Sequence, residues 1–381
     1  MKRFFLFVIT LLQFSVSVDA QLRVVDATDG LPVSAASVLD AAGNMVGFTM
    51  SDGSLTEIPK SSYPITVRSV GYEQIVIEFP KKGTLGLVPV VYELEELIVV
   101  PVERNILKQK FYVREYFSIN NVSDTVTYFF EHMAHRFIPA VKGVRFFGGS
   151  SIRTLASRGY SRFKVLDIDS VAAESESKLT SLLSVADVND EPILAPESFK
   201  GQGDEAKLYE KTGKEGVSLI QKQNAYTFTS IEDKLAEKKG HSISVWPLKL
   251  LGLTMKVEQL YTTHAYRVND EGVYMPKDLI ECGMVMEAEG SGRLIRKIFK
   301  SDDPVEIRSM IEIYLVDSDY LTKDEAKAEL KNGDANVEFV IPSSIPPLNK
   351  ATRSLVERVK AKEQCLNTPN NSAAGSFKCK K

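Results

Sequence analysis

The residues best able to do chemistry in this chain stand apart from one another. Glu131, His132 and His135 put a carboxylate and two imidazoles within five residues. A zinc-peptidase helix needs its histidines four apart with a glutamate between them, so that both rings reach one metal. Here they are three apart, the glutamate precedes both, and no third ligand presents itself. The segment therefore reads as a polar, partly exposed stretch after a strand. Asp167 and Asp169 fall on one face of a strand, as the paired carboxylates of a glycosidase might. Nearly every surface strand offers such a pair. Ser157-Arg158-Gly159 lacks the leading glycine of a nucleophile elbow. The chain has four histidines, none of them placed to complete a Ser-His-Asp triad. Gly201-Gln202-Gly203-Asp204 is too short for a phosphate-binding loop, and no strand leads into it. No catalytic, cofactor-binding or metal-binding residues are expected.

Cysteine and aromatic spacing point to structure. Cys365 and Cys379 bracket 13 residues rich in Asn, Ser, Gly and Ala, so a small C-terminal loop can close through a disulfide. Cys282, among Leu279, Ile280 and Met284, is expected to be a buried free thiol. No CxxC spacing occurs, so a structural zinc site is not expected. Phe111, Tyr112, Tyr116, Phe117, Tyr128, Phe129, Phe130, Phe137, Phe146 and Phe147 place ten rings in 37 residues. Exposed, they would stack on sugars or line an apolar groove; burial as core is the expectation.

The start of the chain gives an address. Lys2 and Arg3 precede an apolar run from Phe4 to Val18, and Val18-Asp19-Ala20 suits a signal peptidase. Cleavage after Ala20 would leave Gln21 first. The run is shorter than the roughly 20 residues of a membrane-spanning helix, and no cysteine follows it for acylation. No later segment reaches 18 uninterrupted apolar residues, which argues against helical spans but not against a barrel of strands. The expected mature chain of 361 residues carries a net charge of about −4, which does not favour nucleic acid. That length accommodates two or three domains.

Residues 21–100 read as short strands separated by turns, as a β-sandwich requires. Leu22 to Asp26 is a strand, and a turn through Gly30-Leu31-Pro32 ends it. Ala35 to Leu39 and Val46 to Met50 follow, with Ser51-Asp52-Gly53 as a tight turn before Ser54 to Ile58. Ile65 to Val70 and Gln74 to Phe79 flank Gly71-Tyr72. The order Gly30-Leu31-Pro32-Val33, Ala36-Ser37-Val38, Ser51-Asp52-Gly53 and Val67-Arg68-Ser69-Val70-Gly71-Tyr72 resembles the carboxypeptidase-regulatory-like domain. That domain is a transthyretin-type sandwich of exported Bacteroidetes proteins. Tyr92-Glu93-Leu94-Glu95-Glu96-Leu97-Ile98-Val99-Val100 resembles its usual close. The resemblance covers about a fifth of the chain. It implies structural roles for Gly30, Pro32, Asp52, Gly53, Gly71 and Tyr72 and contributes no catalytic group. The module is expected to fold independently. It often precedes the plug of a TonB-dependent receptor, whose barrel needs far more chain than follows here.

Residues 101–364 read as a β-rich body. Arg104 to Tyr116 is mixed, either a linking helix or a strand pair. Asp124 to Phe130 is a strand, and Lys142 to Arg158 and Ser161 to Ile168 continue antiparallel sheet. Residues 172–216 form a charged, Pro- and Gly-interrupted insertion. Strands are expected at Val217–Gln221, Tyr226–Ser230, Ser242–Trp246, Tyr261–Val268, Gly272–Met275, Asp278–Glu289, Leu294–Phe299 and Val305–Val316. Asn269-Asp270-Glu271-Gly272 and Glu289-Gly290-Ser291-Gly292 are hairpin turns. Such a meander suggests a half-barrel. Lys323 to Lys331 is a helix with a Thr322/Glu325 capping box. Asn349 to Lys362 is a second, with Leu355, Val356 and Val359 on its apolar side. Residues 365–381 form a flexible tail.

The expected fold is mainly β: a transthyretin-like sandwich, an antiparallel β-rich body and C-terminal helices. The expected function is a non-enzymatic protein of the periplasm or outer-membrane surface that binds an envelope protein, glycan or lipid, without a cofactor. A secreted hydrolase with a divergent site and a small outer-membrane barrel are the alternatives.

Overall fold

The computed structural model describes residues 22–55, 57–90, 103–121, 124–140, 151–164, 168–171, 192–199, 206–213, 216–235, 252, 254–331 and 345–367, with 339, 341 and 343 besides. The protein is mainly β, with 56% strand and 14% helix. The signal segment, the 91–100 close, the Ser242–Trp246 strand and most of the 172–216 insertion lie outside the described residues.

Six strands build the N-terminal part: β1 (Leu22–Asp26), β2 (Ser37–Leu39), β3 (Met45–Phe48), β4 (Ile65–Arg68), β5 (Ile75–Ile77) and β6 (Gly83–Leu87). The order β3-β2-β4-β5 makes an antiparallel sheet, while β1 and β6 pair in parallel. Val24, Ala36, Val38, Ile65, Val67 and Leu85 fill the space between the two layers. The expected strand from Ser54 survives only as isolated bridges, Arg23 to Ser54 and Thr49 to Leu55. Gly53 turns at φ +77°, and a Cβ there would lie 2.4 Å from the Val24 carbonyl oxygen. Only glycine fits that approach.

The body is one ten-stranded antiparallel sheet. Its strands are β7 (Ile106–Asn120), β8 (Thr125–Pro139), β9 (Ser151–Phe163), β10 (Ile168–Val171), β12 (Lys207–Gly213), β13 (Gly216–Gln223), β14 (Thr227–Asp233), β15 (Thr254–Arg267), β17 (Leu279–Ser291) and β18 (Val305–Leu321). A separate two-stranded pair is formed by β11 (Ile193–Leu194) and β16 (Val273–Tyr274). The order β10-β9-β8-β7-β18-β17-β15-β14-β13-β12 joins two meanders where the last strand lies against the first, from Leu321 opposite Ile106 to Glu306 opposite Asn120. The sheet does not close into a barrel.

Several expectations need correcting. Arg104 to Tyr116 is neither helix nor strand pair: from Ile106 onward it belongs to one 15-residue strand, β7. Its polar residues obscured the pattern because both of its faces are buried. Leu294 to Phe299 is helical, within α1 (Arg293–Phe299), which follows Gly292 at φ +112°. Apolar residues at 294, 295, 298 and 299 fit a helical stripe better than strand alternation. The Asn269 turn does form, with Gly272 donating to Asn269 Oδ1 at 3.0 Å. It does not make a simple hairpin, because β16 pairs with β11 and β15 pairs with β17. Glu289 to Ser291 continues β17 instead of turning.

Helix α2 (Lys323–Lys331) begins with the expected capping box: Thr322 N donates to Glu325 Oε2 at 2.7 Å, and Glu325 N to Thr322 Oγ1 at 3.3 Å. Helix α3 (Lys350–Asn367) is capped by Asn349, whose Oδ1 accepts from Thr352 N at 2.8 Å. It runs past Cys365 into what was expected to be tail. Leu355, Val356 and Val359 are buried as expected.

The four-stranded sheet is the middle layer of the molecule. Ile65 and Val67 of β4 face the module core. Arg68 projects the other way, with Leu39, Met45 and Phe48, onto the ten-stranded sheet. There they meet Tyr116, Phe129, Tyr261, Val285 and Met310, while Leu355 and Val359 of α3 join the same core. The opposite face of the large sheet is also apolar, with Phe117, Ile119, Phe130 and Ile307 in one cluster and Val113, Met284 and Ile311 in another.

Candidate functional site

A gathering of buried charged side chains lies where the module meets the sheet, and each part of it has a local cause. Alternation along β4 sends Arg68 out of the module core. Alternation along β7 and β18 brings Tyr116, Glu312 and Tyr314 to meet it. Arg68 Nη2 lies 2.9 Å from Glu312 Oε2, with the two side chains 3% and 10% exposed. Arg68 Nη1 donates to Tyr116 Oη at 2.8 Å, and Nη2 to Tyr314 Oη at 3.5 Å. Burial disfavours the guanidinium cation, but Glu312, Tyr116 and Tyr314 outweigh it and hold Arg68 protonated. Burial pushes the Tyr116 hydroxyl up and the Tyr314 hydroxyl well up, so neither supplies a phenolate near neutral pH. Arg114 lies beside this group, donating to the Pro346 carbonyl at 2.6 Å and stacking over the Tyr112 and Tyr314 rings.

One turn further, Gly71 adopts φ +82° and its N–H donates to the Glu281 carboxylate of β17. Between these contacts is a cavity of about 80 Å³ lined by Arg68, Tyr72, Gln74, Glu281, Glu312 and Tyr314. It is much smaller than the roughly 300 Å³ expected of a pocket for an organic ligand. It has room for a few waters.

A second cluster fixes the other end of the module. Lys222 of β13 puts its Nζ 2.5 Å from Asp26 Oδ2 and 3.1 Å from Asp29 Oδ2. Tyr72 donates to Asp26 Oδ2 at 3.0 Å and accepts from Lys222 at 3.0 Å. Thr28 donates to Asp26 Oδ1 through its N at 2.8 Å and its Oγ1 at 2.5 Å. Burial raises the Asp26 carboxyl, but hydrogen bonds from Lys222 and Thr28 win and hold it below its usual 3.8. Burial beside Asp26 pushes Tyr72 up.

Of the residues singled out from sequence, Gly71 and Tyr72 belong to these contacts, and Gly30 closes the turn that carries Asp29. Pro32 bridges Val25, and Asp52 accepts from Ser54 N at 2.9 Å. Glu131, His132 and His135 lie inside β8, not after a strand, and are buried. Spacing of three on a strand puts the two rings on opposite faces. His132 Nε2 sits 3.4 Å from Glu115 Oε1, and Glu131 accepts from Tyr112 Oη at 3.0 Å. Asp169 holds α3 in place, its carboxylate meeting Arg358 at 2.6 Å and Arg162 at 2.8 Å. Ser157 lies in the middle of β9. Phe111, Tyr112, Tyr116, Phe117, Tyr128, Phe129, Phe130 and Phe137 are all buried, and Cys282 is a buried free thiol. Asp167, Gly201 to Asp204, Phe146, Phe147 and Cys379 lie outside the described residues, so the Cys365–Cys379 pairing is not addressed.

Glu281, Glu312, Lys222 and Arg114 were missed in the sequence. Glu281, Glu312 and Arg114 are ionisable residues set in strands rich in apolar neighbours, as in Met310-Ile311-Glu312-Ile313-Tyr314, whereas Lys222 lies between Gln221 and Gln223. That signal was available for the first three. Among the described residues no cluster of three or more His, Cys, Asp or Glu is arranged to hold a metal ion. Compared with known proteins, the chain matches no family model and no curated relative.

Proposed function

We propose that this chain is an exported, non-enzymatic envelope protein whose sandwich module and ten-stranded sheet act as one rigid body that binds an envelope partner, glycan or lipid. The single observation behind this reading is how the junction's charges are used. Arg68 is matched by Glu312, Lys222 by Asp26 and Asp29, and Glu281 by the Gly71 amide. A catalytic site leaves its ionisable groups open to substrate. Here they hold one layer of the protein on another. The resemblance of residues 22–100 to the carboxypeptidase-regulatory-like domain supports the same reading, as does the charged and then apolar start of the chain, which reads as a signal. Val76, Phe79 and Val88, exposed by 54%, 79% and 50%, leave apolar surface on the module.

The test uses the full mature chain. Retention on vesicles of native outer-membrane lipid or on cell-wall polysaccharide, without turnover of peptide, ester or glycoside substrates, is the expected result. Hydrolysis lost in Glu312→Gln, with the fold intact, would replace this reading with the hydrolase. Purification from the native host should give an N-terminus at Gln21; retention of Met1 would refute export by cleavage.

A further inference from the structure

We propose that Lys222 and Asp26 form an intramolecular isopeptide bond, in which the Lys222 amine condenses with the Asp26 carboxyl and ties the module covalently to the sheet. The inference rests on the geometry of this cluster and is independent of the function proposed above.

Four features of the site are those such a condensation needs. The nucleophile and electrophile are in contact, Nζ to Oδ2 at 2.5 Å, with side-chain exposures of 9% and 0%. Holding two reacting groups together in this way removes most of the entropic barrier to their union. The second carboxylate, Asp29, puts its Oδ2 3.1 Å from the same Nζ and its Oδ1 3.2 Å from it, and Oδ2 is buried with no donor besides this ammonium. It is placed to accept a proton from the amine. Asp26 Oδ1 receives two hydrogen bonds from Thr28, which aim donors at the oxygen where negative charge develops. Finally, the Tyr72 ring covers Nζ at 5.6 Å, and its hydroxyl holds Oδ2.

The step balances without any added reactant. A proton passes from the Lys222 ammonium to Asp26 Oδ2 across their contact, giving an amine and a carboxylic acid. Nζ then forms a bond to Cγ, and Oδ1 takes the charge within the Thr28 donors. Asp29 accepts a proton from the attached nitrogen and returns it to Oδ2. The Cγ–Oδ2 bond breaks and Oδ2 leaves as water. Nothing is oxidised or reduced, and Asp29 ends as it began.

The test is intact mass spectrometry of the folded full-length mature chain, aged at neutral pH and then denatured. A mass lower by one water, together with a proteolytic peptide joining residues 26 and 222, is expected. The full uncondensed mass would overturn the proposal. The chain also contains Asp29-Gly30 and Asp52-Gly53, which can lose water as succinimides. Lys222→Arg separates the two, since it keeps the positive charge but not the amine nucleophile. In folded Lys222→Arg any loss of water marks a succinimide, so a loss as large as in the unsubstituted chain, with no peptide joining residues 26 and 222 in the latter, would refute the isopeptide. Asp29→Asn should condense at least tenfold more slowly, and an unchanged rate would remove the assigned proton relay and with it the proposed route.

Discussion

Replacing Glu312 by glutamine tests the buried ion pair at the centre of the junction. The change keeps the side chain's shape but removes its charge, leaving Arg68 with two tyrosine hydroxyls as acceptors and no anion. The side chains of Arg68 and Glu312 are 3% and 10% exposed, so solvent cannot replace the lost partner. Breaking one half of such a pair costs about 3–5 kcal/mol. The remaining bonds to Tyr116 and Tyr314 place the expectation at the lower end, about 3 kcal/mol. Arg68→Met alone should cost a similar amount by stranding the Glu312 carboxylate. The double variant Arg68→Met/Glu312→Gln removes both charges and should cost less than either single change, a coupling of at least about 3 kcal/mol. Urea unfolding of the four proteins at one pH measures this directly. Additive costs, or a Glu312→Gln change of under about 1 kcal/mol, would refute the reasoning.

Other substitutions test other parts of the fold. Gly53→Ala should cost more than Gly30→Ala, since both glycines have positive φ but only at Gly53 does the added Cβ meet a backbone oxygen, at 2.4 Å. Melting temperatures compare the two, and equal losses would contradict the close approach. Gly71→Val should cost about 1–3 kcal/mol through its left-handed φ, read by urea midpoint; no loss would mean the turn relaxes. Asp169 is raised by burial but held below 3.8 by Arg358 and Arg162. Its contribution is therefore complete above the usual carboxylate value and is lost as pH falls from there through the lowered value of the folded protein. With Arg358 45% exposed, that contribution is expected to be about 1 kcal/mol or less. Asp169→Asn should flatten the acid limb of the stability curve and speed proteolysis within α3, and an unchanged acid limb would show that the pair contributes nothing.

The legible parts of the sequence were those governed by local chemistry. The turns at Gly30, Gly53 and Gly71 and the cap at Thr322 need only neighbouring residues, and they place β1, β4 and α2 at or near their observed bounds. The burial pattern of β4 explains the imperfect alternation of Ile65 to Val70, because both of its faces are covered. The same cause hid β7 and misplaced the His132 segment: a strand buried on both sides loses the polar face that marks a strand at a surface. The junction itself could not be read locally. Its partners lie 210 residues apart for Gly71 and Glu281, and 196 apart for Asp26 and Lys222. Only the pairing of β18 with β7 brings Glu312 and Tyr116 onto one surface.

Native-state hydrogen exchange on the full chain tests most directly whether module and sheet form one body. Amides of β2 and β4 should open with the same free energy as those of β7 and β18, and Glu312→Gln should lower both sets together. Exchange of the module through a separate, lower-energy opening that leaves β7 and β18 protected would show that the junction does not bind the two into a single unit.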